Sequence, residues 1–433
     1  LVNNCYFSPM RTLYNILTHV AYAHLQLVKG FSKKLKLFVD GRKESFAILS
    51  SAIKPTDETI WFHCASLGEF EQGMPIILAI KDTYPNHKIV LTFFSPSGYE
   101  IKKKTPLADV VAYLPFDTKR NARKFISLVH PSLAIFVKYE VWPNYLFELQ
   151  ERKIPALLVS GLFRKKQIYF KAHGGFMRRA LRTIDHFFVQ SASSEALLKS
   201  LKLDNVTISG DTRFDRVSHQ IEIDNSLDFM DDFKGDSLCV VCGSTWPEDE
   251  EVMLEFINSS ESTLKFVFAP HKIDASKIQD FRDKLAKKSV LFSERENEDL
   301  SAFSVLIIDT IGYLTKIYSY ADVAYVGGAA GTTGLHNILE PATFGIPIVI
   351  GDNFDKFPEA KKLEQLAGLY SVSDAQDCSS VMGKLISDNN FRSTTGMIAG
   401  HFVNSNTGAT RIIMEYIEQL HRHRLVQIPS ERQ

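Results

Sequence analysis

The sequence predicts an α/β protein made of two Rossmann-like halves, and three observations lead there. Short apolar runs alternate with helix-patterned stretches from residue 59 onward, the pattern of parallel strands covered by helices on both faces. The alternation stops near residue 216, crosses an acidic and poorly periodic stretch at 222–236 that reads as a linker, and then restarts. The length of 433 residues, with 45% hydrophobic and 23% charged residues, suits two or three ordinary globular domains. It excludes a disordered, collagen-like or polytopic membrane chain.

The elements follow in chain order. Leu1 is not a start methionine, so the chain reads as a fragment or as beginning in frame at Met10. Residues 13–27 are apolar but include His19, His24 and Gln26, and Lys29, Lys33, Lys34, Lys36, Arg42 and Lys43 follow. No uncharged apolar run reaches the length of a membrane span, and no small-residue cleavage site is present, so neither a spanning helix nor a signal peptide is indicated. Two readings of this stretch stay open. It is a helix lying in a membrane interface with its cations near anionic headgroups, or a soluble helix packed on its own domain. Strands are expected at 59–65, 88–94, 110–114, 132–137, 155–160, 186–190 and 206–209 in the first half. The second half offers 237–243, 264–270, 304–310, 323–328 and 346–351. A final helical stretch, 408–423, can pack on either half. The expected organisation is an N-terminal helix at 1–36, a Rossmann-like domain at 37–216 and a second Rossmann-like domain at 217–405. A C-terminal helix and tail occupy 406–433, and a cleft is expected between the two domains.

Lys plus Arg and Asp plus Glu both total 50, so the net charge is zero. Residues 1–216 nevertheless hold 31 basic and 18 acidic residues, and the remainder holds 19 and 32. A uniformly basic nucleic-acid binder is excluded and no nucleic-acid partner is expected, whereas a basic front half facing an anionic partner fits. The five cysteines are too few and too scattered for a disulfide framework. Cys239 and Cys242 lie in one apolar run whose alternation points their thiols to opposite faces. They read as core cysteines in a reducing compartment.

Ligands of open α/β sheets sit beyond the carboxyl ends of the strands, so the residues there are the ones to inspect. Glu69 follows the first strand in a strand-to-helix loop, where a carboxylate serves as a general base or simply favours a helix start. Glu140 occupies the matching place after the 132–137 strand, with Trp142 and Pro143 fixing the turn. Arg164, Lys165 and Lys166 follow the next strand. Arg213 ends the first half, either holding a carboxylate or phosphate or pairing with Asp211 or Asp215. In the second half Ser244 and Thr245 precede a helix opened by acids at 248–251. The free amides of that start can take an anion, or either side chain can be the N-cap. Pro270 and His271, and Ile311, Gly312 and Tyr313, end further strands. Residues 326–341 (VGGAAGTTGLHNILEP) place four glycines within eight positions, allowing a ligand close to the backbone, and put Glu340 one turn into the next helix as an acceptor for a ribose diol. No G-x-G-x-x-G, no G-x-x-x-x-G-K-[ST], no H-E-x-x-H, no G-x-S-x-G and no Asp-x-Asp pair occurs, which removes support from dinucleotide, P-loop, zincin, hydrolase and Mg²⁺-dependent sugar-nucleotide readings.

Taken together, Ser66-Leu67-Gly68-Glu69, Tyr139 to Asn144, Ser209-Gly210 through Asp215, Gly243-Ser244-Thr245 and His336 to Pro341 occur in the order and spacing of the 3-deoxy-D-manno-octulosonic acid (Kdo) transferases. The chain resembles that family from its N-terminal helix, through Gly41-Arg42-Lys43, to its last helix. The resemblance implies a GT-B glycosyltransferase at the cytoplasmic face of the Gram-negative inner membrane. It would move Kdo from CMP-Kdo to the 6′-hydroxyl of a phosphorylated, acylated lipid A precursor, with inversion and with neither metal nor cofactor. Glu69 matches the family's general base, and Glu140 and Arg213 match positions that stabilise the transition state. Ser244, Thr245, Pro270, His271, Ile311, Gly312, Tyr313, Asn337, Ile338, Leu339 and Glu340 match CMP-binding segments. Arg164 and Lys165 are the expected partners of the Kdo carboxylate or the acceptor. Four departures stand out: Arg213 for a usual Lys, His271 for an Arg, Trp246 for a His, and the loop 329–333.

Overall fold

The structure, a computed structural model, describes residues 9–426; the expectations for 1–8 and 427–433 lie outside them. The chain divides into two compact units, residues 1–216 with 408–433, and residues 217–407. Each unit is a seven-stranded, wholly parallel sheet.

The first sheet runs β3-β2-β1-β4-β5-β6-β7. Its strands are β1 (Glu58–Cys64), β2 (His87–Phe93), β3 (Val110–Tyr113), β4 (Pro131–Val137), β5 (Ala156–Gly161), β6 (His186–Val189) and β7 (Val206–Ile208). β1, β2 and β4 are almost completely buried, as a parallel sheet covered on both faces requires. Trp61, Phe125, Phe136 and Tyr145 pack one face. Ile60, Phe62, Ile76 and Ile77 pack the other, and there the last helix, Ala409–Val426, adds Ile413, Met414 and Ile417. The C-terminal helix thus belongs to the first unit, anchored where Asp215 accepts from the amides of Gly408 and Thr410 at 2.6 Å each.

The N-terminal helix, Pro9–Val28, packs on its own unit, as one of the two sequence readings has it. One face makes the contacts: Tyr14 donates to Asp117 at 2.8 Å, Arg11 to Asn144 at 3.1 Å, and Tyr22 meets Phe116 at 4.7 Å between ring centres. Burial pushes the Asp117 carboxyl up to about 6, although Tyr14 and the amides of Asn144 and Tyr145 bond to it. The other face exposes Leu13, Ile16, Leu17, Val20 and Leu27. Among the described residues, no helix is long and apolar enough to cross a membrane.

The second sheet runs β10-β11-β9-β8-β12-β13-β14. Its strands are β8 (Cys239–Thr245), β9 (Lys265–Pro270), β10 (Ser289–Leu291), β11 (Val305–Ile307), β12 (Val323–Val326), β13 (Ile348–Gly351) and β14 (Leu369–Val372). Cys242 packs into one face of this sheet and Cys239 into the other. The acidic stretch read as a linker is not irregular throughout: Asp228–Lys234 is a helix that buries Met230 and Phe233. Two buried apolar side chains among four charges suffice for a helix of seven residues to dock, a signal too short for periodicity to show.

Candidate active site

In each sheet the first strand of the unit lies centrally, with the next strands on one side and a later strand on the other. That reversal between β1 and β4, and between β8 and β12, is the switch point where α/β sheets open a crevice at their carboxyl edge.

At the first switch point the structure brings Glu69 and Glu140 together. Glu69 is not in a loop, as the sequence indicated, but in the first turn of the helix Leu67–Thr83, whose N-cap is Ser66. The Ser66 hydroxyl donates to its Oε2, and Lys138 Nζ stands 3.7 Å from its Oε1. Lys138 is the residue just past β4 and has a left-handed backbone, φ 73°. For a residue with a Cβ that conformation is strained and needs support from its surroundings; here its amide donates to Val159 O at 2.7 Å. The strained turn aims a lysine at Glu69 and sets Glu140 two residues on. Both carboxylates act on the same two neighbours: with burial the leading cause, they push up the Cys64 thiol and the Tyr139 phenol.

Glu140 is held by Trp142, which the sequence marked only as fixing the turn, and behind it by buried groups that the sequence did not single out. Trp142 Nε1 donates to Glu140 Oε2 at 3.1 Å and to His63 Nε2 at 2.9 Å. Thr92 donates to the Phe62 carbonyl and accepts from Trp61 at 2.8 Å, so its oxygen accepts from His63 Nδ1 at 2.9 Å. These partners put the imidazole proton on Nδ1 and leave Nε2 as an acceptor.

Arg213 pairs with Asp211, Nη2 to Oδ2 at 2.8 Å, while Asp215 is committed to the C-terminal helix. Asp211 also accepts from Gln72, which lies one turn beyond Glu69 on the same helix. Arg164, Lys165 and Lys166 are exposed after β5, with Arg164 close enough to act on the Tyr139 phenol.

The second switch point is built differently, and several expectations change there. The helix start after β8 is not open to an anion. Asp249 fills it, accepting from the amides of Trp246 at 2.9 Å, Gly328 at 2.8 Å and Ala330 at 3.3 Å, and from Tyr325 at 3.2 Å. The N-cap is Trp246, not Ser244 or Thr245. Ser244, one residue before the end of β8, has φ 56°, and Thr245 donates to Glu250, whose carboxyl burial pushes up to about 7. The first glycines of the 326–341 stretch make room for the protein's own backbone: a Cβ on Gly327 would lie 2.5 Å from Ser244 O, and one on Gly328 would lie 2.2 Å from Gly334 O.

The rings of Trp246, His271 and His336 form a stack, with centres 4.9 and 4.3 Å apart. Trp246 Nε1 donates to His336 Nε2 at 3.1 Å. Burial holds the His336 imidazole down to about 4 and lowers His271 as well, aided by Lys272. Lys272 lies over the Trp246 ring at 4.7 Å and supplies the positive charge that His271 lacks. Two of the sequence departures, Trp246 and His271, are therefore one packing unit.

Asn337 donates to Glu340 at 3.1 Å, and Thr315 donates to the other Glu340 oxygen at 3.5 Å. Glu340 lies in the first turn of the helix Leu339–Thr343. The Ile338 and Leu339 side chains are buried, which leaves only their backbone to meet a ligand. Ile311 is exposed beside Gly312 (φ 103°), while the Tyr313 ring packs on Phe229 and Phe292. Among the described residues no group of three His, Cys, Asp or Glu side chains converges as a metal site.

Residues 40–216 match the family model described as 3-deoxy-D-manno-octulosonic-acid transferase (kdotransferase). A 3-deoxy-D-manno-octulosonic acid transferase of Haemophilus influenzae is 26% identical over 389 residues, 87% of this chain and 90% of its own. One from Chlamydophila psittaci is 28% identical over 329 residues, 73% of this chain and 76% of its own. The chain is thus similar to Kdo transferases over most of its length, and the family model matches within its first unit. It is accordingly a glycosyltransferase. Among solved structures, a UDP-GlcNAc 2-epimerase from Neisseria meningitidis superposes with a TM-score of 0.60 at 15% identity, over 83% of this chain and all of its own. That likeness is one of fold, the twin-sheet GT-B architecture.

Proposed function

We propose that this Kdo transferase homologue moves Kdo from CMP-Kdo to the 6′-hydroxyl of a lipid A precursor, with inversion and without a metal or cofactor. The observation that supports this most is the pair Glu69 and Glu140 at the β1/β4 switch point, with Lys138 beside Glu69. Glu69 is buried, yet its partners are one hydroxyl and one lysine at long range, so a carboxylate lone pair stays available to an incoming hydroxyl. As the acceptor oxygen bonds to C2 of Kdo, its proton passes to Glu69. The bond from C2 to the phosphate oxygen breaks, and CMP leaves with the electron pair. Glu140 and Arg213 stabilise the charge that develops around C2 and the leaving phosphate, Arg213 exchanging part of its Asp211 pairing for the anion. Arg164 and Lys165, both exposed, serve the Kdo carboxylate. In the second unit, Asn337 and Glu340 take the ribose, and Lys272, with backbone amides of 311–312 and 338–339, takes the phosphate.

The outward apolar stripe of the N-terminal helix, ending at the exposed Phe31 and followed by Lys33, Lys34 and Lys36, supports seating on the cytoplasmic face of the inner membrane. Vesicles of phosphatidylcholine with phosphatidylglycerol should bind the chain in low salt and release it in high salt.

Mass spectrometry of the products formed from CMP-Kdo and the acylated, bisphosphorylated glucosamine disaccharide tests the reaction, with EDTA present in one arm. One or more Kdo additions unaffected by EDTA are expected. Absence of transfer with turnover of a UDP-sugar would replace this reading by that of another sugar-nucleotide transferase or epimerase.

A further inference from the structure

A cavity of about 400 Å³ lies between the N-terminal helix, the Gly41–Lys43 turn and the segment that follows β3. Its wall carries His19, Arg42, Lys43, Arg120 and Lys124 and, among the described residues, no carboxylate. The apolar part of the wall is Tyr22, Phe46, Pro115 and Phe116.

Arg42 is the unusual member. It is 5% exposed and makes no ion pair among the described residues. Its guanidinium donates to the carbonyls of Leu114, Phe38 and Phe94 and lies among the rings of Phe38, Phe94, Tyr113 and Phe116. Carbonyls and rings orient a cation but carry no net charge, and a buried charge left without a counter-ion is costly. Burial lowers the group only to about 10, so it remains a cation.

The neighbouring helix, Lys119–Val129, adds to the imbalance. Its first two turns hold Lys119, Arg120, Lys124 and Arg123, the last 3.9 Å from Glu148, and no acid in the first turn, the reverse of what a helix N-terminus favours. The Arg120 side chain has no hydrogen bond or ion pair among the described residues, and Lys124 only rests on the Phe46 ring at 4.3 Å. Lys43 does have a carboxylate, Asp40, but shares it with Lys29. A cavity that gathers this much uncompensated positive charge beside apolar walls is matched to an anion borne on an apolar body.

The cavity is also two aromatic rings from the proposed reaction centre. The Phe94 ring that faces Arg42 at 4.7 Å packs at 4.7 Å on Trp142, whose Nε1 holds Glu140. We propose that this cavity is the subsite for a phosphomonoester of the amphiphilic acceptor, its phosphate against Arg42, Arg120 and Lys124 and its apolar portion on Tyr22, Phe46 and Phe116. The acceptor assignment rests on the reaction proposed above; the phosphate chemistry of the cavity does not.

The test uses the full chain and the double variant Arg120→Gln/Lys124→Gln, two exposed positions whose change leaves the Tm unaltered without ligand. Isothermal titration with dihexanoyl phosphatidic acid should show saturable binding to the wild type, weaker by about tenfold or more in the variant. Dihexanoyl phosphatidylcholine should not bind. In neutral detergent micelles, the variant's KM for the bisphosphorylated acceptor should rise about tenfold with kcat retained, and its KM for the dephosphorylated acceptor should match the wild type. Equal phosphatidic acid binding by both proteins overturns the site. Inorganic phosphate binding as tightly as phosphatidic acid overturns its amphiphilic character. Lost phosphatidic acid binding with an unchanged KM overturns the acceptor assignment in favour of a bulk lipid headgroup. A wild type that binds phosphatidic acid but transfers no Kdo overturns the proposed reaction and leaves the phosphate site standing.

Discussion

The two switch points have the same kind of topology and opposite electrostatic states. At β1/β4 the polar groups are under-committed: Glu69 has a hydroxyl and a distant lysine, and Glu140 shares one indole proton with His63. At β8/β12 they are used up, since Asp249 takes three backbone amides and a phenol, and the imidazoles of His271 and His336 are stacked and held uncharged at neutral pH. Unspent lone pairs do chemistry, whereas saturated ones build a rigid frame. The contrast agrees with the proposal that proton transfer belongs to the first unit and ligand positioning to the second.

The comparison breaks most sharply at Glu69. Glu69→Gln should lower kcat by roughly 10²–10⁴, the usual worth of a general base, with the Tm and CMP affinity unchanged in calorimetry. A variant that keeps its rate would move the base elsewhere. Asp249→Ala should do the opposite. It leaves buried donors unpaired and should cost about 3 kcal/mol in urea unfolding, while the same change at Glu69 costs little.

Smaller effects sharpen the contrast. His63→Phe removes one of the two acceptors of the Trp142 indole and frees Glu140 to shift. An expected tenfold loss in kcat, with KM for CMP-Kdo unchanged and partial recovery in His63→Gln, follows from about one hydrogen bond. The smallest effect is one of pH. His336 is held down to about 4 in the folded chain, against 6.5 when unfolded, mainly by burial. The unfolded state binds more protons between those values, so stability is complete above about pH 6.5 and declines as the pH falls toward 4. Urea midpoints at pH 7 and pH 5 should differ less in His336→Gln than in the wild type.

Much of the frame was legible in the sequence because parallel strands buried on both faces leave long apolar runs. Twelve of the runs so marked correspond to strands, β1 to β9 and β11 to β13. The two missed strands, β10 (SVL) and β14 (LYSV), are short edge strands with one neighbour each, and an edge needs too little burial to leave a pattern. The candidate pair was legible by position: Glu69 and Glu140 stand just past strand ends. Their supports were not. His63 and Thr92 look like ordinary strand residues, 29 positions apart, and only the β1–β2 register, which pairs them, reveals the bond between their side chains.

By itself, then, the sequence determined two parallel sheets, the strand ends that carry the carboxylates, and a front half rich in cations. All of these follow from local periodicity and composition. Only the tertiary structure decided which polar groups are spent: that Asp249 closes the helix start, that glycines at 327 and 328 accommodate backbone, and that Arg42 sits buried with no counter-ion among the described residues. Satisfaction of a charge depends on what other segments bring within about 3 Å, and no local pattern encodes that.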